Sequence, residues 1–350
     1  MKEALQKNIQ PYVARMISSM TVLKMKRHAH EFKRRLLLQP HKVEIYLRIN
    51  DPYSYLLVQV LAELEQRFAV AMSFKTIEKL QDEMYPEGEM WHANAFIDAQ
   101  HLADLYQLHW PSQSPKQVSV RVRQGSRLLL QIEDRSKVTN GSYWSDVECI
   151  FKQYWFQLPL DEIQKGLERS AWEGRLLANE RTLADKGHYM SAMMFYGGEW
   201  YWGLDRLDHL ESRLNYLGLG DDQLPFNKTY NQLCHSRPLT ASDSRHKKLT
   251  LYFSIRSPYS HLGLQQAIKM AKHYRLKLDI KPVLPMVMRG LSVPKRKKMY
   301  IFHDTKREAQ KLGIDYGFVA DPLGEGVNRC YSLFKYAQNL GCEQEYLLTY

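Results

Sequence analysis

The sequence predicts an α/β protein in which one strand–helix–strand unit occurs twice along the chain. Two stretches, 42–74 and 248–280, each alternate apolar and polar residues, turn at a proline, continue with helical spacing and then alternate again. A strand, a helix and a second strand of these lengths form a βαβ unit, whose two strands run parallel. With 350 residues the chain has room for two domains.

A basic segment precedes the first unit. Residues 1–40 contain nine Lys or Arg and two acidic residues, and apolar residues recur at helical spacing over 4–38. The segment is therefore predicted to form one or two helices. Two interpretations stay open, a helical arm that packs on its own protein or one that meets a membrane surface or an acidic partner. Because the net charge of +11 is concentrated here, we expect no nucleic-acid partner.

The first unit continues through a long helical region. A strand at 42–49 is followed by the turn Asn50–Asp51–Pro52, an amphipathic helix over 56–68 and a second strand at 70–74. Helices are predicted within 144–186, a hairpin at 189–203 and a closing helix at 204–217. Turn-forming residues over 219–247 predict a linker.

The second unit matches the first at a single offset of 206 residues. The match is gapless from the first strand through the helical segment that ends near residue 316, which predicts duplication of a whole domain. At this offset Tyr350 corresponds to Trp144, so the second copy is incomplete. Either the natural chain continues, which we favour, or the short copy packs on the first domain. The predicted organisation is a leader at 1–41, a first domain at 42–218, the linker at 219–247 and a truncated second domain at 248–350.

Composition excludes several classes of protein. No apolar run is long enough to span a membrane, and the N-terminus lacks the pattern of a secretory signal. None of the four cysteines forms a CxxC pair, which argues against a zinc knuckle, a disulfide framework and a dithiol redox centre. The histidines show no ligand spacing, so no metal is expected. We expect a soluble protein of a reducing compartment, the cytoplasm.

Two motifs carry a family resemblance. The second copy has a strand that ends in a Ser-Pro-Tyr-Ser turn, and the first copy has a late strand that ends in Trp-Gly and leads to Asp-Arg. In order along the chain these residues are Ser257, Pro258, Tyr259 and Ser260, and Trp202, Gly203, Asp205 and Arg206. The pattern resembles the DsbA-like thioredoxin superfamily, and within it 2-hydroxychromene-2-carboxylate isomerases and kappa-class glutathione transferases. The resemblance implies a thioredoxin-like sheet of βαβ and ββα halves with an inserted helical subdomain.

The resemblance also implies a glutathione site without a catalytic cysteine. In the resembled enzymes the serine before the proline, here Ser257, contacts the glutathione sulfur, and Pro258 and Tyr259 belong to the same binding turn. A helix N-terminus favours an anion there, and a hydroxyl that donates to a thiolate lowers the pKa of the thiol. The Asp205–Arg206 pair would hold the γ-glutamyl end. The alternative is structural, with Ser257 and Asp205 acting only as helix N-caps.

The first copy departs from this pattern at two positions. Asp51 stands where the second copy has Ser257. A carboxylate is a good N-cap but opposes ionisation of a nearby thiol, so a structural role is expected. Ala192 stands where thioredoxin-like folds have a cis-proline, so we expect a trans peptide bond before it. Both departures weaken the case for glutathione chemistry in the first copy.

Two classes of function therefore stay open. The first is a glutathione-dependent isomerase or transferase that acts on a small organic substrate. The second is a non-catalytic binding or scaffold protein, and a general thiol oxidoreductase fits less well because CxxC is missing. The two copies are expected to form an intramolecular pseudo-dimer. The basic run 295–298 is expected to be a solvated loop near the second copy's site.

Overall fold

The computed structural model describes residues 2–135, 143–160, 169–227 and 247–349. The chain divides into two compact units. The first unit is Lys26–Asn227, and the second unit is Met1–Met25 together with Lys228–Tyr350. Most of the predicted linker, 228–246, lies outside the described residues.

Both units contain helices and strands. The helices up to residue 216 are α1 Lys2–Ile17, α2 Met20–Leu36, α3 Pro52–Arg67, α4 Gly88–Tyr106, α5 Ser119–Arg135, α6 Trp144–Trp155, α7 Arg169–Asp185 and α8 Leu207–Tyr216. Those that follow are α9 Pro258–Tyr274, α10 Lys295–Leu312, α11 Glu325–Asn339 and α12 Glu343–Leu348. The strands are β1 Lys42–Leu47, β2 Ala71–Thr76, β3 Met193–Tyr196, β4 Glu199–Trp202, β5 Lys248–Phe253 and β6 Lys277–Pro282.

The first unit contains a four-stranded mixed sheet in the order β2–β1–β3–β4. Strands β1 and β2 are parallel, while β3 is antiparallel to both β1 and β4. Between β2 and β3 the chain forms α4 to α7, and α8 follows β4. This order of a βαβ half, a helical insertion and a ββα half is the thioredoxin-like arrangement that the resemblance implies. The mixed α/β class is confirmed.

Alternation along β1 determines which face enters the core. Val43, Ile45 and Leu47 are fully buried in one apolar cluster with residues of α3 such as Leu57 and Leu61. Each such side chain contributes about 1.5–3 kcal/mol through its burial. The other face of β1 carries a polar layer, in which Lys186 lies 2.5 Å from the Glu44 carboxylate and the Tyr46 hydroxyl donates to the same group.

The second unit repeats the βαβ geometry. Strands β5 and β6 pair in parallel from Lys248 with Lys277 to Phe253 with Pro282, and each partner lies 206 residues after its counterpart in the β1–β2 pair. Helix α9 packs on this sheet, with Leu264 buried beside Phe253 and Ile280. In the described residues the second sheet has two strands.

Two other segments bear on the sequence predictions. The basic segment forms α1 and α2, in agreement with the predicted helices. The run 295–298, expected to be a loop, is instead the first turn of α10, which Pro294 precedes. The expectation was wrong because a dense run of like charge favours solvent exposure, which a helix end provides as well as a loop does.

None of the helices in the described part of the chain has the length and apolarity needed to cross a bilayer.

A buried arginine–glutamate hydrogen bond joins α3 to α8. Arg67 donates to Glu211 at 2.7 Å and also contacts Asp221 at 3.2 Å. The Glu211 side chain has no exposed surface, and burial raises its pKa to about 7 even though Arg67 opposes the shift. The pair therefore ties α8 and the segment after it to the end of α3.

Glu211→Gln should change how stability depends on pH. Because the folded-state pKa lies above the ordinary value of 4.5, the native state holds this proton while the unfolded chain releases it. The stabilising contribution is complete below pH 4.5 and is lost as the pH rises through about 7. Urea unfolding at pH values on both sides of this window should therefore show the wild type losing stability relative to the variant as the pH rises. A difference that stays constant with pH would contradict the raised pKa.

Candidate functional site

In the first unit, the start of α3 is held by the side chain of Asp51. Its Oδ2 accepts from the backbone N–H of Ser54 at 2.9 Å and from the Ser54 hydroxyl at 2.7 Å. Pro52 occupies the first helical turn, where a missing N–H costs nothing. Asp51 is 1% exposed, so the carboxylate works as a buried N-cap.

A buried arginine lies beside this cap. Arg48 is 5% exposed, and in the described part of the chain its Nε and Nη2 have no hydrogen-bond partner. Its charge acts on Tyr85 and His92, which also sense Asp51. Burial, helped by Arg48, lowers the pKa of His92. The surroundings of the α3 N-terminus are thus polar and include a buried carboxylate and a buried guanidinium.

Tyr53 connects α3 to the helical insertion and to the hairpin. Its hydroxyl donates to Asp98 at 2.7 Å, and its ring lies 4.7 Å from the ring of Trp202. The backbone N–H of Gly203, just after Trp202, donates to the carbonyl of Ala192 at 2.8 Å. Burial raises the pKa of Tyr53, with smaller contributions from Asp98, Asp51 and Asp205. Asp205 therefore lies in the neighbourhood of the α3 N-terminus.

Two sequence predictions concern Ala192, which was expected to follow a trans peptide bond, and Asp205, for which a helix N-cap was one interpretation. The peptide bond before Ala192 is trans, and Ala192 itself is buried with a φ of 55°. A non-glycine residue in this left-handed region is uncommon, which marks the turn beside the α3 N-terminus as specially constrained.

Asp205 is not a helix N-cap, because Gly203 is the N-cap of the short 3₁₀ turn after β4 and Arg206 is the N-cap of α8. Arg206 donates to the Asp205 carbonyl at 3.0 Å.

In the second unit, Ser257 occupies the N-cap position of α9. Its Oγ accepts from the backbone N–H of Ser260 at 3.3 Å, and Pro258 again starts the helix. The Ser254 N–H donates to the Ser260 hydroxyl at 3.2 Å, the same bond that Arg48 and Ser54 make in the first unit. Ser257 is half-buried whereas Asp51 is fully buried. The two units therefore share one turn but present different groups to solvent.

Charged residues surround the Ser257 turn. Arg256 forms a two-bond ion pair with Asp321 at 2.7 and 2.8 Å. Arg256 lowers the pKa of Asp321, and Lys298 adds to that effect, so both cations lie near this carboxylate. The Tyr259 hydroxyl donates to Asp304 at 2.7 Å, and Arg307 holds the other Asp304 oxygen at 2.9 Å.

The predicted site residues fall in two places. Ser257, Pro258 and Tyr259 lie together at the start of α9 in the second unit. Asp205 and Arg206 lie in the short 3₁₀ turn after β4 in the first unit. Neither unit contains both groups, and the glutathione-binding roles of all five residues stay a prediction.

The sequence did not reveal Arg48, Asp98 or Asp304 as members of these turns. Tyr53 and Asp98 are separated by 45 residues, as are Tyr259 and Asp304. That equal spacing in the two units was the available signal for the tyrosine–aspartate pairs. Arg48 gave no such signal, because an arginine at the end of a strand is usually exposed.

Three of the four cysteines lie in the described part of the chain. Cys149, Cys330 and Cys342 are free thiols, and Cys234 lies outside the described residues. Within the described ranges, no group of three or more His, Cys, Asp or Glu is placed to hold a metal ion.

Comparison with known proteins gives distant structural likeness only. No family model and no curated protein matches the sequence. Among solved structures, the chain is similar to a 2-hydroxychromene-2-carboxylate isomerase studied in selenomethionine form, at 23% sequence identity. The match covers 51% of this chain and 96% of that one, with a TM-score of 0.36. A likeness this weak carries no argument about chemistry, so the functional case rests on the geometry of the two turns.

Substitution of Asp51 tests its role as a cap. Asp51→Ala removes the acceptor for both the N–H and the hydroxyl of Ser54, so the free energy of unfolding should fall by about 1–2 kcal/mol. Asp51→Asn keeps a capping oxygen and should cost less than half as much. Urea denaturation followed by circular dichroism measures both. Equal losses in the two variants would show that the capping bond is not what Asp51 contributes.

Proposed function

We propose that the chain is a duplicated thioredoxin-like protein whose second repeat binds glutathione through the turn at the start of α9. The substrate chemistry would be that of a glutathione-dependent isomerase or transferase acting on a small organic compound. Support for the duplication comes from the strand pairs, the capping turns and the tyrosine–aspartate bonds, which recur 206 residues apart.

The proposal rests on the hydrogen bonding and the exposure of the Ser257 hydroxyl. Its oxygen accepts the capping bond from Ser260, so the hydroxyl proton remains available to donate. Because Ser257 is only half-buried, a ligand can approach that proton. A hydroxyl that accepts from the helix and donates outward fits a thiolate better than a neutral thiol.

Positive charge around the Ser257 turn also favours a thiolate ligand. The free N–H groups in the first turn of α9 and the helix dipole attract an anion. Lys298 and Arg256 add positive charge nearby, although Arg256 is largely neutralised by Asp321. These groups lower the free energy of a thiolate relative to a thiol, which lowers the pKa of the bound thiol.

Each residue then has a defined task. Ser257 donates to the sulfur and holds it at the helix N-terminus. Pro258 fixes the backbone of the first turn, so that the free N–H groups point outward. Tyr259, anchored by Asp304, closes one side of the turn. When bound, glutathione supplies the nucleophilic sulfur, so no cysteine of this chain is required.

The surroundings of Asp51 favour a non-catalytic role for the first repeat. Asp51 is buried, and its Oδ2 is engaged by both donors of Ser54. A carboxylate in this position raises the pKa of a neighbouring thiol instead of lowering it. We infer that the first repeat acts as a binding or scaffold domain. Its pairing with the second repeat as an intramolecular pseudo-dimer is part of the same proposal.

Glutathione binding to the whole chain, measured by isothermal titration calorimetry, tests the proposal. The wild type should bind glutathione. Ser257→Asp keeps an N-cap, as Asp51 does naturally, but replaces the donor with a negative charge. Loss of a hydrogen bond to a charged group should weaken binding by about 10–100-fold.

Asp51→Asn is the matched control, because it changes the equivalent residue of the other repeat and keeps a cap. Its affinity should equal that of the wild type. Absence of binding by the wild type, or unchanged affinity in Ser257→Asp, would reject the glutathione site and leave the scaffold role for both repeats.

A further inference from the structure

Helix α2 turns its charged side toward its own protein. Within the first unit, Arg27 donates to both carboxylate oxygens of Glu199, at 2.6 and 2.8 Å. The His30 ring packs over Gly198 so closely that a Cβ at that glycine would collide with it. Further along, Glu31 is held by Arg34, which lowers the pKa of Glu31 to about 2. The Arg27 and His30 contacts attach α2 to the β3–β4 hairpin, while the Glu31–Arg34 pair lies within α2 itself.

The opposite side of α2 is apolar and exposed. Phe32 and Leu36 are both 70% exposed and lie four residues apart, so they share one face of the helix. Ala29 lies on the same face, and the chain continues into Leu37 and Leu38, which are 52% and 92% exposed. No residue of α2 is buried. An ordinary surface helix is arranged the other way round, with its apolar face on the core.

Cations flank this apolar face on both sides. Helical geometry places the exposed Lys26 and Lys33 along one edge and Arg35 with His28 along the other. Arg35 keeps 71% of its side chain exposed although it also contacts Glu31. An apolar stripe between two basic edges is the pattern of helices that lie in the surface of an anionic bilayer.

We propose that the exposed face of residues 26–38, formed by Phe32, Leu36, Leu37 and Leu38 with Lys26, Lys33 and Arg35, docks on an anionic lipid surface. The apolar face and its basic edges together favour a lipid surface over a protein partner. A protein groove could take the leucines and the phenylalanine, but basic residues on both edges match a uniformly negative plane. The Arg27–Glu199 and Glu31–Arg34 contacts hold the helix rigid, so little order has to be gained on binding. The proposal is independent of the glutathione site.

Co-sedimentation of the whole chain with vesicles tests the docking surface. The wild type should bind vesicles of phosphatidylcholine mixed with phosphatidylserine, and its binding should weaken as salt is added. Pure phosphatidylcholine vesicles should bind it at least about tenfold less. Phe32→Ser/Leu36→Ser and, separately, Lys26→Glu/Lys33→Glu should each reduce binding to the mixed vesicles by about tenfold or more. Neither pair of changes touches the contacts of Arg27 or Glu31.

Met90→Ser/Ile97→Ser is the matched control. These two exposed side chains, 63% and 53% exposed, share a face of α4 in the same unit but have the acidic neighbours Glu89 and Asp98. The control should bind vesicles as the wild type does. Equal loss in the control and the α2 variants, or no vesicle binding by the wild type, would overturn the proposal. So would self-association in solution that disappears in Phe32→Ser/Leu36→Ser, because a second copy would then be the occupant.

Discussion

The hydrogen bond from the Ser54 N–H to the Asp51 carboxylate fixes where β1 ends and α3 begins. Arg48 donates its backbone N–H to the Ser54 hydroxyl, which in turn donates to Asp51, so strand, turn and helix share one connected set of bonds. With the helix start fixed, the apolar side of α3 meets the apolar side of β1, and β2 can pair in parallel beside it. Two of these bonds recur in the second unit, where the Ser254 N–H donates to the Ser260 hydroxyl and the Ser260 N–H donates to the Ser257 hydroxyl.

The same turn therefore forms with two different side chains at the cap position. A side-chain oxygen that caps the helix is all that the turn requires, and serine and aspartate both provide it. The two side chains differ in the group that a ligand can reach. Ser257 retains a proton and is partly accessible, whereas Asp51 is buried and carries a negative charge. Under the proposed function, this one difference in a shared turn makes the second unit suited to a thiolate and the first unit unsuited to it, while both units keep a parallel strand pair beside the helix.

Much of this could be predicted from local sequence. Alternation gave β1 and β5, and the Asp-Pro and Ser-Pro turns gave the starts of α3 and α9, because caps and strand faces depend on neighbouring residues. Features that depend on distant residues were missed. Arg27 meets Glu199 across 172 residues, so nothing near α2 showed that its charged side faces inward. The burial of Arg48 was likewise decided by packing that local patterns do not record.

The ionisation of glutathione at the Ser257 turn tests the central claim most directly. Thiolate absorbance in the ultraviolet can be followed as the pH is raised, with and without the whole chain present. A free thiol of this kind has a pKa of about 8.5. Thiolate should appear at lower pH when the wild type is present, by about one unit or more, and the shift should vanish in Ser257→Asp but persist in Asp51→Asn. An unshifted titration with the wild type, or an equal shift in Ser257→Asp, would contradict the assignment of a thiolate-stabilising role to Ser257.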